Sequence, residues 1–356
     1  MSDRAQIGVL TFHRCINYGS YWQARCLVEG LRSLGHEAVL MDHRSRQVDR
    51  AEWRCALHPV PTAPRLGSDR EVYVEKARRF FQAFEALPLS AAFPLERPEE
   101  AEPFDLILVG SDEVWNLRHP WYGGKPIFYG HGLRGGRLAS YAASFGNQDA
   151  EGGLPQDRSR QLQAFDAVAV RDENSRRIVT QALEEAPELV LDPCLQFPEQ
   201  IEPARIEQEE PYIAVYGHSF PGWFTSAVRE YAKQARLRLI SIGYRNDWAD
   251  GQWIDADPQQ FAGFIAGSAA VATNFFHGCV FSLLNRKPFV CAPSEYRNNK
   301  VRDLLTLVGA KERLLAEWEP AEDVSELLRG SAGPETYRTI TNLRQVSQRY
   351  LDHVLN

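Results

Sequence analysis

The chain has 356 residues and a net charge of −7 at pH 7, with 44% hydrophobic and 24% charged residues. This composition is typical of a soluble globular protein of about two domains, and the negative charge argues against nucleic-acid binding through bulk electrostatics. No apolar run approaches the ~20 residues of a membrane-spanning helix, and the first residues do not resemble a signal peptide, so we expect a cytoplasmic protein without membrane insertion.

The chain opens with a strand–helix–strand pattern. An apolar strand is predicted over Ile7–Phe12, followed by a turn-rich loop over 13–20. A helix is predicted over Tyr21–Leu34, and Gly35 ends it. A second strand is predicted over Ala38–Met41, so we expect a parallel sheet.

The rest of the first half alternates strands with polar loops. Residues 43–104 are less regular, apart from a predicted helix over Val72–Phe84, and we interpret them as an insertion or lid. Further strands are predicted over Phe104–Val109, Leu138–Ala142 and Ala167–Val170, and Leu189–Leu191 precedes Asp192-Pro193. Asp172 is a plausible N-cap for a helix over Asn174–Leu183.

The composition becomes acidic and polar around Gln200–Pro211, where we place a domain boundary. A second series follows, with strands over Tyr212–Tyr216 and Leu237–Ile242 and helices over Trp223–Arg236, Pro258–Ala266 and Tyr337–Leu355. We therefore predict two α/β, Rossmann-like domains that face a cleft, over 1–205 and 206–335. The C-terminal helix, over 336–356, could pack back on the first domain.

His277 lies in the segment with the clearest functional signal. Around it we predict a strand ending over Val271–Thr273, a turn over Asn274–Gly278, a helix over Cys279–Leu284 and a strand starting over Pro288–Cys291. His277 is then at the carboxyl edge of a parallel sheet, where such sheets bind ligands. A helix N-terminus disfavours a charged imidazole, so this histidine could transfer protons near neutral pH. The alternative is a capping or core histidine.

Asn17, Tyr18, Gly19 and Ser20 form a candidate binding loop between the first strand and the first helix. Gly19 permits close approach of a ligand to the backbone, and a helix N-terminus offers amide groups. The side chains of Asn17 and Tyr18 add polar groups to the same loop. The alternative is a structural turn capped by Ser20.

Asp112 and Arg171 also follow predicted strands. Asp112 could orient a sugar hydroxyl or act as a base, or else Ser111 or Asp112 caps a helix. The guanidinium of Arg171 matches a carboxylate or a phosphate. The alternative is an ion pair with Asp172 or Glu173.

Polar residues follow the strands of the second half as well. His218 and Arg245 could face the cleft or be simply solvated. Further anion donors, or only a polar helix start, are Tyr296, Asn298, Asn299, Lys300 and Arg302. The shared position of these residues at strand ends favours a binding site more than any one of them does.

The six cysteines are scattered through the chain without the spacing of metal ligands. Several lie in apolar runs, where a cysteine behaves as a small hydrophobic residue. We interpret them as reduced and structural, and we predict no metal site.

In series, several segments resemble the polysaccharide pyruvyl transferase family. They are Thr11-Phe12 with Asn17–Gly19, Val109–Asp112 with Trp115-Asn116, Tyr141–Gly146 (which includes Ser144), Val170–Ser175, Phe276–Gly278 and Asn285–Phe289. These segments run in family order over roughly residues 6 to 310. Singly they are nondescript, and together they are fairly specific.

The resemblance implies a fold similar to that of GT-B glycosyltransferases and transfer of pyruvate from phosphoenolpyruvate to sugar hydroxyls, which gives a ketal. It implies that His277 is catalytic and that Arg171 holds the donor. Several members carry an arginine two residues before the histidine, where this chain has Phe275. The candidates to replace that cation are Arg14, Arg245, Lys300 and Arg302.

Three hypotheses follow. The first is pyruvyl transfer, with His277 as general acid or base and with Asp112 and the Asn17–Ser20 loop at the acceptor. Asn116 and Ser144 are further candidates for substrate binding. Its partners are a small-molecule donor and a sugar, glycan or lipid-linked acceptor, and it needs no resident cofactor. The second is a glycosyltransferase or related transferase with a nucleotide-activated donor. The third is a non-catalytic protein that binds glycans or peptides.

Overall fold

The computed structural model describes residues 5–60, 67–294, 298–316 and 321–356. Contacts within the chain divide it into two compact units. The first unit contains Met1–Glu52, Phe84–Gln200 and Ile340–Asn356, and the second contains Trp53–Ala83 and Ile201–Thr339. Each unit is therefore built from separate stretches of sequence. The predicted domain limits at 205/206 and 335/336 stay a prediction.

Helices and strands alternate along most of the chain. Up to residue 200 they are β1 (Gln6–Leu10), α1 (Tyr18–Ser33), β2 (Glu37–Leu40), β3 (His43–Arg44), α2 (Arg46–Leu57), α3 (Gly67–Glu85), β4 (Phe93–Pro94), β5 (Phe104–Val109), β6 (Gly135–Ser140), α4 (Gln156–Leu162), β7 (Ala169–Val170), α5 (Glu173–Leu183), β8 (Glu188–Leu189) and α6 (Pro193–Gln196). After residue 200 they are β9 (Tyr212–Tyr216), α7 (Gly222–Ala235), β10 (Arg238–Ile242), β11 (Gly251–Trp253), α8 (Pro258–Gly267), β12 (Ala270–Thr273), α9 (Phe276–Leu284), β13 (Phe289–Cys291), α10 (Asn298–Leu307), α11 (Ala321–Arg329) and α12 (Pro334–Leu355).

The first unit is organised around a parallel sheet with the strand order β2-β1-β5-β6. β1 leads through α1 to β2 on one side, whereas β5 pairs on the other side of β1, so the strand order reverses between β1 and β5. Leu10 pairs with Val109, and these are the last residues of their strands. The loops that begin at Thr11 and Gly110 therefore lie side by side, at the edge where such sheets bind ligands.

The second unit repeats this arrangement in a parallel sheet with the order β11-β10-β9-β12-β13. The strand order reverses between β9 and β12, and Tyr216 pairs with Thr273 at their carboxyl ends. The loops that begin at Gly217 and Asn274 are thus neighbours. The two parallel sheets confirm the predicted α/β class with two Rossmann-like halves.

Each sheet is covered by helices that complete a separate apolar core. In the first unit, buried side chains of the sheet and of α5 include Leu10, Ile107, Val109, Ile178 and Val179. In the second, the sheet contributes with α7 and α11, and the buried side chains include Val215, Val228, Ala272, Val290 and Leu328. The central strands are apolar without alternation because helices cover both of their faces.

The segment over 53–83 groups with the second unit, which the sequence did not indicate. It is more regular than predicted, because it holds part of α2 and most of α3. One face of α3 contacts the loops after β10 and β11 through Asp69 to Arg245, the Tyr73 hydroxyl to the Arg245 N–H, Lys76 to the Gly243 carbonyl and Arg79 to Asp255. The spacing of these four residues follows the helical repeat.

The C-terminal part of α12 packs on the first unit, as predicted. The Tyr350 hydroxyl donates to the Ser140 carbonyl at 2.6 Å, and the N–H of Leu191 donates to the Ser347 hydroxyl at 2.9 Å. This helix has 22 residues and many charged side chains. In the part of the chain that the structure describes, no helix combines the length and the apolar character needed to cross a membrane.

Two helices at the ligand edges begin earlier than predicted. α1 begins at Tyr18 because the Asn17 side chain accepts the N–H groups of Gly19 at 2.8 Å and Ser20 at 3.2 Å. The alternative of a turn capped by Ser20 is therefore wrong, and Asn17 is the cap. α9 begins at Phe276, so the predicted turn over Asn274–Gly278 includes the first three residues of this helix.

Candidate functional site

The loops at the β1/β5 edge bring Ser20 and Asp112 together. The Ser20 hydroxyl donates to Asp112 Oδ2 at 2.7 Å, and Asp112 Oδ1 accepts the backbone N–H of Glu113 at 2.9 Å. Asp112 has a φ of 75°, a left-handed conformation that aspartate adopts more readily than most residues. No helix begins between Asp112 and Asn116, all of which the structure describes, so the alternative of a helix cap here is wrong.

Arg171 follows β7 and connects Asp112 with Asp192. Its Nη2 lies 3.3 Å from Asp112 Oδ1, and its Nη1 lies 2.9 Å from Asp192 Oδ2. Nη1 also donates to the Ser111 hydroxyl at 3.2 Å. The alternative of an ion pair with Asp172 or Glu173 stays a prediction, and the Asp172 side chain caps α5.

The charge balance of this cluster limits what Arg171 can do. Its side chain is 1% exposed, and burial disfavours the charged guanidinium, but Asp112 and Asp192 more than offset this and raise the pKa of Arg171 above its usual value. Asp112 and Asp192 thus each bond one terminal nitrogen of the guanidinium. The assignment of Arg171 to the donor stays a prediction.

Several residues of the predicted binding loop, Asn17–Ser20, stabilise the start of α1. Tyr18 is fully buried in the first unit, and Asn17 is committed to the helix cap. The N–H of Gly19 is bonded within that cap. Ser20 is therefore the residue of this loop whose side chain reaches the Asp112 carboxylate.

Asn116 and Ser144 both bond residues of the loop after β5. The Asn116 amide donates to Glu113 Oε2 at 2.8 Å within that loop, and the N–H of Ser144, in the loop after β6, donates to the Asp112 carbonyl at 2.9 Å. The Ser144 hydroxyl accepts the N–H of Gly146 at 2.9 Å. Both residues fix the backbone around Asp112, and their contact with substrate stays a prediction.

His277 is the second residue of α9 and directly follows the β9/β12 edge. Its side chain packs edge-on against Phe276, with 5.1 Å between ring centroids, and the residue is 8% exposed. The N-cap position is Phe275, which offers no polar side chain to the helix N-terminus. A Cβ on Gly278 would collide with the side chain of Thr273, so glycine after His277 allows the close approach of α9 to β12.

Aromatic rings surround the position at which the resemblance implies an arginine. The ring centroid of Phe275 lies 4.9 Å from that of Tyr216, 5.2 Å from that of Tyr244 and 5.4 Å from that of His218. His218 follows β9 and is half-buried. At the β9/β12 edge, the imidazole of His218 therefore lies beside Phe275, the residue that replaces the arginine of several family members.

Most of the predicted replacement cations bond to neighbouring side chains. Arg245 pairs with Asp69 at 2.9 Å and Asp247 at 2.6 Å, Arg14 pairs with Asp42 at 2.7 Å, and Arg302 donates to Asn299 at 3.0 Å. Lys300 lies on α10, and Tyr296 lies outside the described residues. The role of each as a donor cation stays a prediction.

Sequence reasoning missed Asp192 and Lys76. Asp192 caps the four-residue helix α6, and this local pattern predicts a cap but not an ion pair. The Lys76 ammonium donates to the Gly243 carbonyl at 2.8 Å and lies 4.4 Å from the centroid of Tyr244. Burial lowers the pKa of Lys76 to about 7. The only sequence signal was its place on a helix, because its partners follow much later in the chain.

Comparisons with known proteins complete the description of this site. The model of the polysaccharide pyruvyl transferase family matches residues 17–295, which is more than half of the chain. No curated protein matches. The S. aureus MnaA–UDP complex is similar in structure, with a TM-score of 0.52 and 13% identity over 98% of this chain and 96% of that chain. The N. meningitidis UDP-GlcNAc 2-epimerase bound to UDP-GlcNAc has a TM-score of 0.50 and 9% identity over 98% and 99%.

At these identities the likeness shows the fold alone. Neighbours of this kind are GT-B proteins, which agrees with the two Rossmann-like units described above.

Proposed function

Because the chain belongs to the polysaccharide pyruvyl transferase family, we propose that it transfers pyruvate from phosphoenolpyruvate to hydroxyl groups of a sugar, glycan or lipid-linked acceptor. The product is a ketal, in which the former C2 of phosphoenolpyruvate bonds two acceptor oxygens. The observation that carries this proposal is the Ser20–Asp112–Arg171 cluster, which lies inside the matched region at a ligand-binding edge of the sheet.

The first proposed step is protonation of the donor by His277. The electron pair of the enol double bond takes the proton at the methylene carbon, which becomes a methyl group. C2 is left as an oxocarbenium-like centre that still carries the phosphate. A histidine suits this task because its ordinary pKa lies near the pH at which such proton transfers occur.

The second proposed step uses Asp112 as the base for the acceptor. A hydroxyl oxygen bonds C2 while its proton passes to the carboxylate, which also accepts the Ser20 hydroxyl at 2.7 Å. Phosphate then leaves C2, and a second acceptor hydroxyl bonds there and loses its proton. The two protons released by the hydroxyls balance the one gained by the methyl group and the one that phosphate carries away.

Arg171 is proposed to orient Asp112 in this reaction. The guanidinium bonds Oδ1 while Ser20 bonds Oδ2, so the carboxylate is held from both sides. The other terminal nitrogen of the guanidinium, Nη1, donates to Asp192. The reaction consumes phosphoenolpyruvate as a substrate and requires no resident cofactor.

The test is a transfer assay with isotopically labelled phosphoenolpyruvate and a panel of glycosides. We expect release of phosphate together with an acid-labile pyruvate adduct on one acceptor, and loss of both in His277→Ala and Asp112→Asn. Unchanged phosphate release in His277→Ala would contradict the role of His277. Binding of donor and acceptor without any turnover would favour a non-catalytic binding protein.

A nucleotide-activated donor is the second candidate, and Phe275, which stands where several family members carry an arginine, favours it. Phe275 is buried against Tyr216 and Tyr244, so this position offers no cation to the anionic groups of phosphoenolpyruvate. The two similar structures were determined with UDP and with UDP-GlcNAc. Thermal-shift measurements separate the two candidates, since stabilisation by a nucleotide sugar and not by phosphoenolpyruvate would favour this one.

A further inference from the structure

The backbone around His218 is fixed by buried side chains. The Asn246 amide donates to the Gly217 carbonyl at 2.9 Å, and the Asn274 amide donates to the His218 carbonyl at 2.7 Å. Both asparagines are buried, at 6% and 2% exposure. Gly217 has a φ of 144° and lies against Asn274 so closely that a Cβ would not fit. The backbone carbonyls of Gly217 and His218 are therefore held in place.

The residue after His218 adopts a conformation that is unusual for its type. Ser219 has a φ of 56°, in the left-handed region that non-glycine residues rarely occupy. In this conformation its hydroxyl lies 3.0 Å from Nδ1 of His218 and fixes the orientation of the ring. Conformations of this kind concentrate at binding and catalytic sites, where the surrounding structure holds them.

The imidazole of His218 stands between two aromatic rings and remains half-exposed. Its centroid lies 5.4 Å from that of Phe275, with the rings nearly perpendicular, and 5.2 Å from that of Tyr244. The rings exclude water from the sides of the imidazole, and a hydrogen bond to an ion is stronger where water is excluded. A half-exposed, oriented imidazole of this kind is suited to bind an oxyanion.

The start of α9 adds a second anion-binding element at the same edge. Phe275 is both the ring neighbour of His218 and the N-cap of this nine-residue helix. The positive end of the helix dipole favours negative charge in front of the first turn. The imidazole and the helix N-terminus thus favour the same kind of ligand.

Resting on the proposed function, we propose that His218 binds an oxyanion of the donor. The ligand group is a carboxylate or a phosphoryl group. Phosphoenolpyruvate carries one of each, and a nucleotide sugar carries phosphoryl groups in its diphosphate. The pinned backbone, the Ser219 conformation and the aromatic neighbours together give His218 a single orientation for this contact.

The test compares His218→Ala and His218→Gln with His131→Ala, a substitution of an exposed histidine in the first unit. Binding of phosphoenolpyruvate, inorganic phosphate, pyruvate and UDP is measured by calorimetry, and turnover is measured where it occurs. In His218→Ala we expect Kd and KM for the donor to rise about tenfold or more, the size of one charge-assisted hydrogen bond, with KM for the acceptor unchanged. Partial rescue in His218→Gln, which restores a hydrogen-bond donor, supports the same role.

The probes separate the two ends of the donor. Weaker binding of inorganic phosphate alone assigns His218 to the phosphoryl group, and weaker binding of pyruvate alone assigns it to the carboxylate. Weaker binding of UDP, without binding of phosphoenolpyruvate by the wild-type protein, supports the oxyanion site and contradicts the pyruvyl donor.

Equal affinities in His218→Ala, His131→Ala and the wild-type protein would overturn the inference. So would a fall in kcat with an unchanged donor KM. If His218→Ala does not fold, the comparison of His218→Gln with wild type decides in the same way. Donor binding that depends on His218, without turnover on any acceptor, would contradict the proposed function alone.

Discussion

Removal of the Arg171 guanidinium is the perturbation that best tests the proposed cluster. In Arg171→Met the side chain keeps much of its volume, but Asp112 and Asp192 lose their shared cation. The guanidinium bonds them at 3.3 Å and 2.9 Å, and the side-chain exposures of the three residues are 1%, 11% and 0%. Two carboxylates would then remain near each other in a site with little water.

The expected loss follows from this burial. Breaking a buried ion pair by removing one partner costs about 3–5 kcal/mol, because the remaining charge is left without compensation. Asp112 keeps its bonds from Ser20 and the Glu113 N–H, so we expect a value toward the lower end, about 3 kcal/mol. Arg171→Met/Asp192→Asn, which removes the more buried charge as well, should recover about 1–2 kcal/mol of it.

The matched control is Arg176→Met, which removes an arginine from α5, the helix that begins two residues after Arg171. Arg176 pairs with Glu173 at 3.5 Å, and both side chains are half-exposed. An exposed pair of this kind contributes less than about 1 kcal/mol. Equilibrium urea unfolding of the three variants and wild type, followed by circular dichroism, gives the comparison. A loss within about 1 kcal/mol of the Arg176→Met control would refute this reasoning.

Three further predictions concern single side chains. Asp112→Asn should lower the rate of transfer by about 10²–10⁴-fold while the fold persists, since a base is lost and the shape is kept, and this is checked by the transfer assay with circular dichroism. Burial lowers the pKa of Lys76 to about 7, so the unfolded chain binds more protons between about pH 7 and about pH 10. Stability should rise with pH in that window, a slope that urea unfolding of Lys76→Met should not show. Gly278→Ala should destabilise the protein by about 1–3 kcal/mol, because its Cβ overlaps Thr273, and thermal unfolding against wild type measures this.

The sheet strands were predictable because their signal is local. The strands over Phe104–Val109 and Tyr212–Tyr216 were predicted with the observed limits, since each is an apolar run bounded by polar or turn-forming residues. The helix starts were less predictable. Asn17 ends the loop before α1 by accepting two backbone N–H groups, and the sequence alone did not distinguish this cap from one at Ser20.

The partners of the site residues depend on contacts that local patterns do not encode. Asp112 and Arg171 were both selected from their positions at strand ends, but their bond joins residues 59 apart in the chain. Asp192 showed only the pattern of a cap. The prediction that His277 and Arg171 face a common cleft stays a prediction.

The grouping of α3 with the second unit affects how the protein is made. Arg79 bonds the carbonyl of Asp255, 176 residues later, and Lys76 bonds that of Gly243, 167 residues later. During synthesis this helix leaves the ribosome long before its docking surface exists, whereas domains usually complete folding in chain order. A gene fragment that starts at residue 201 would express the second sheet without this helix, and we expect such a truncated product to be a poor substitute for the full-length protein.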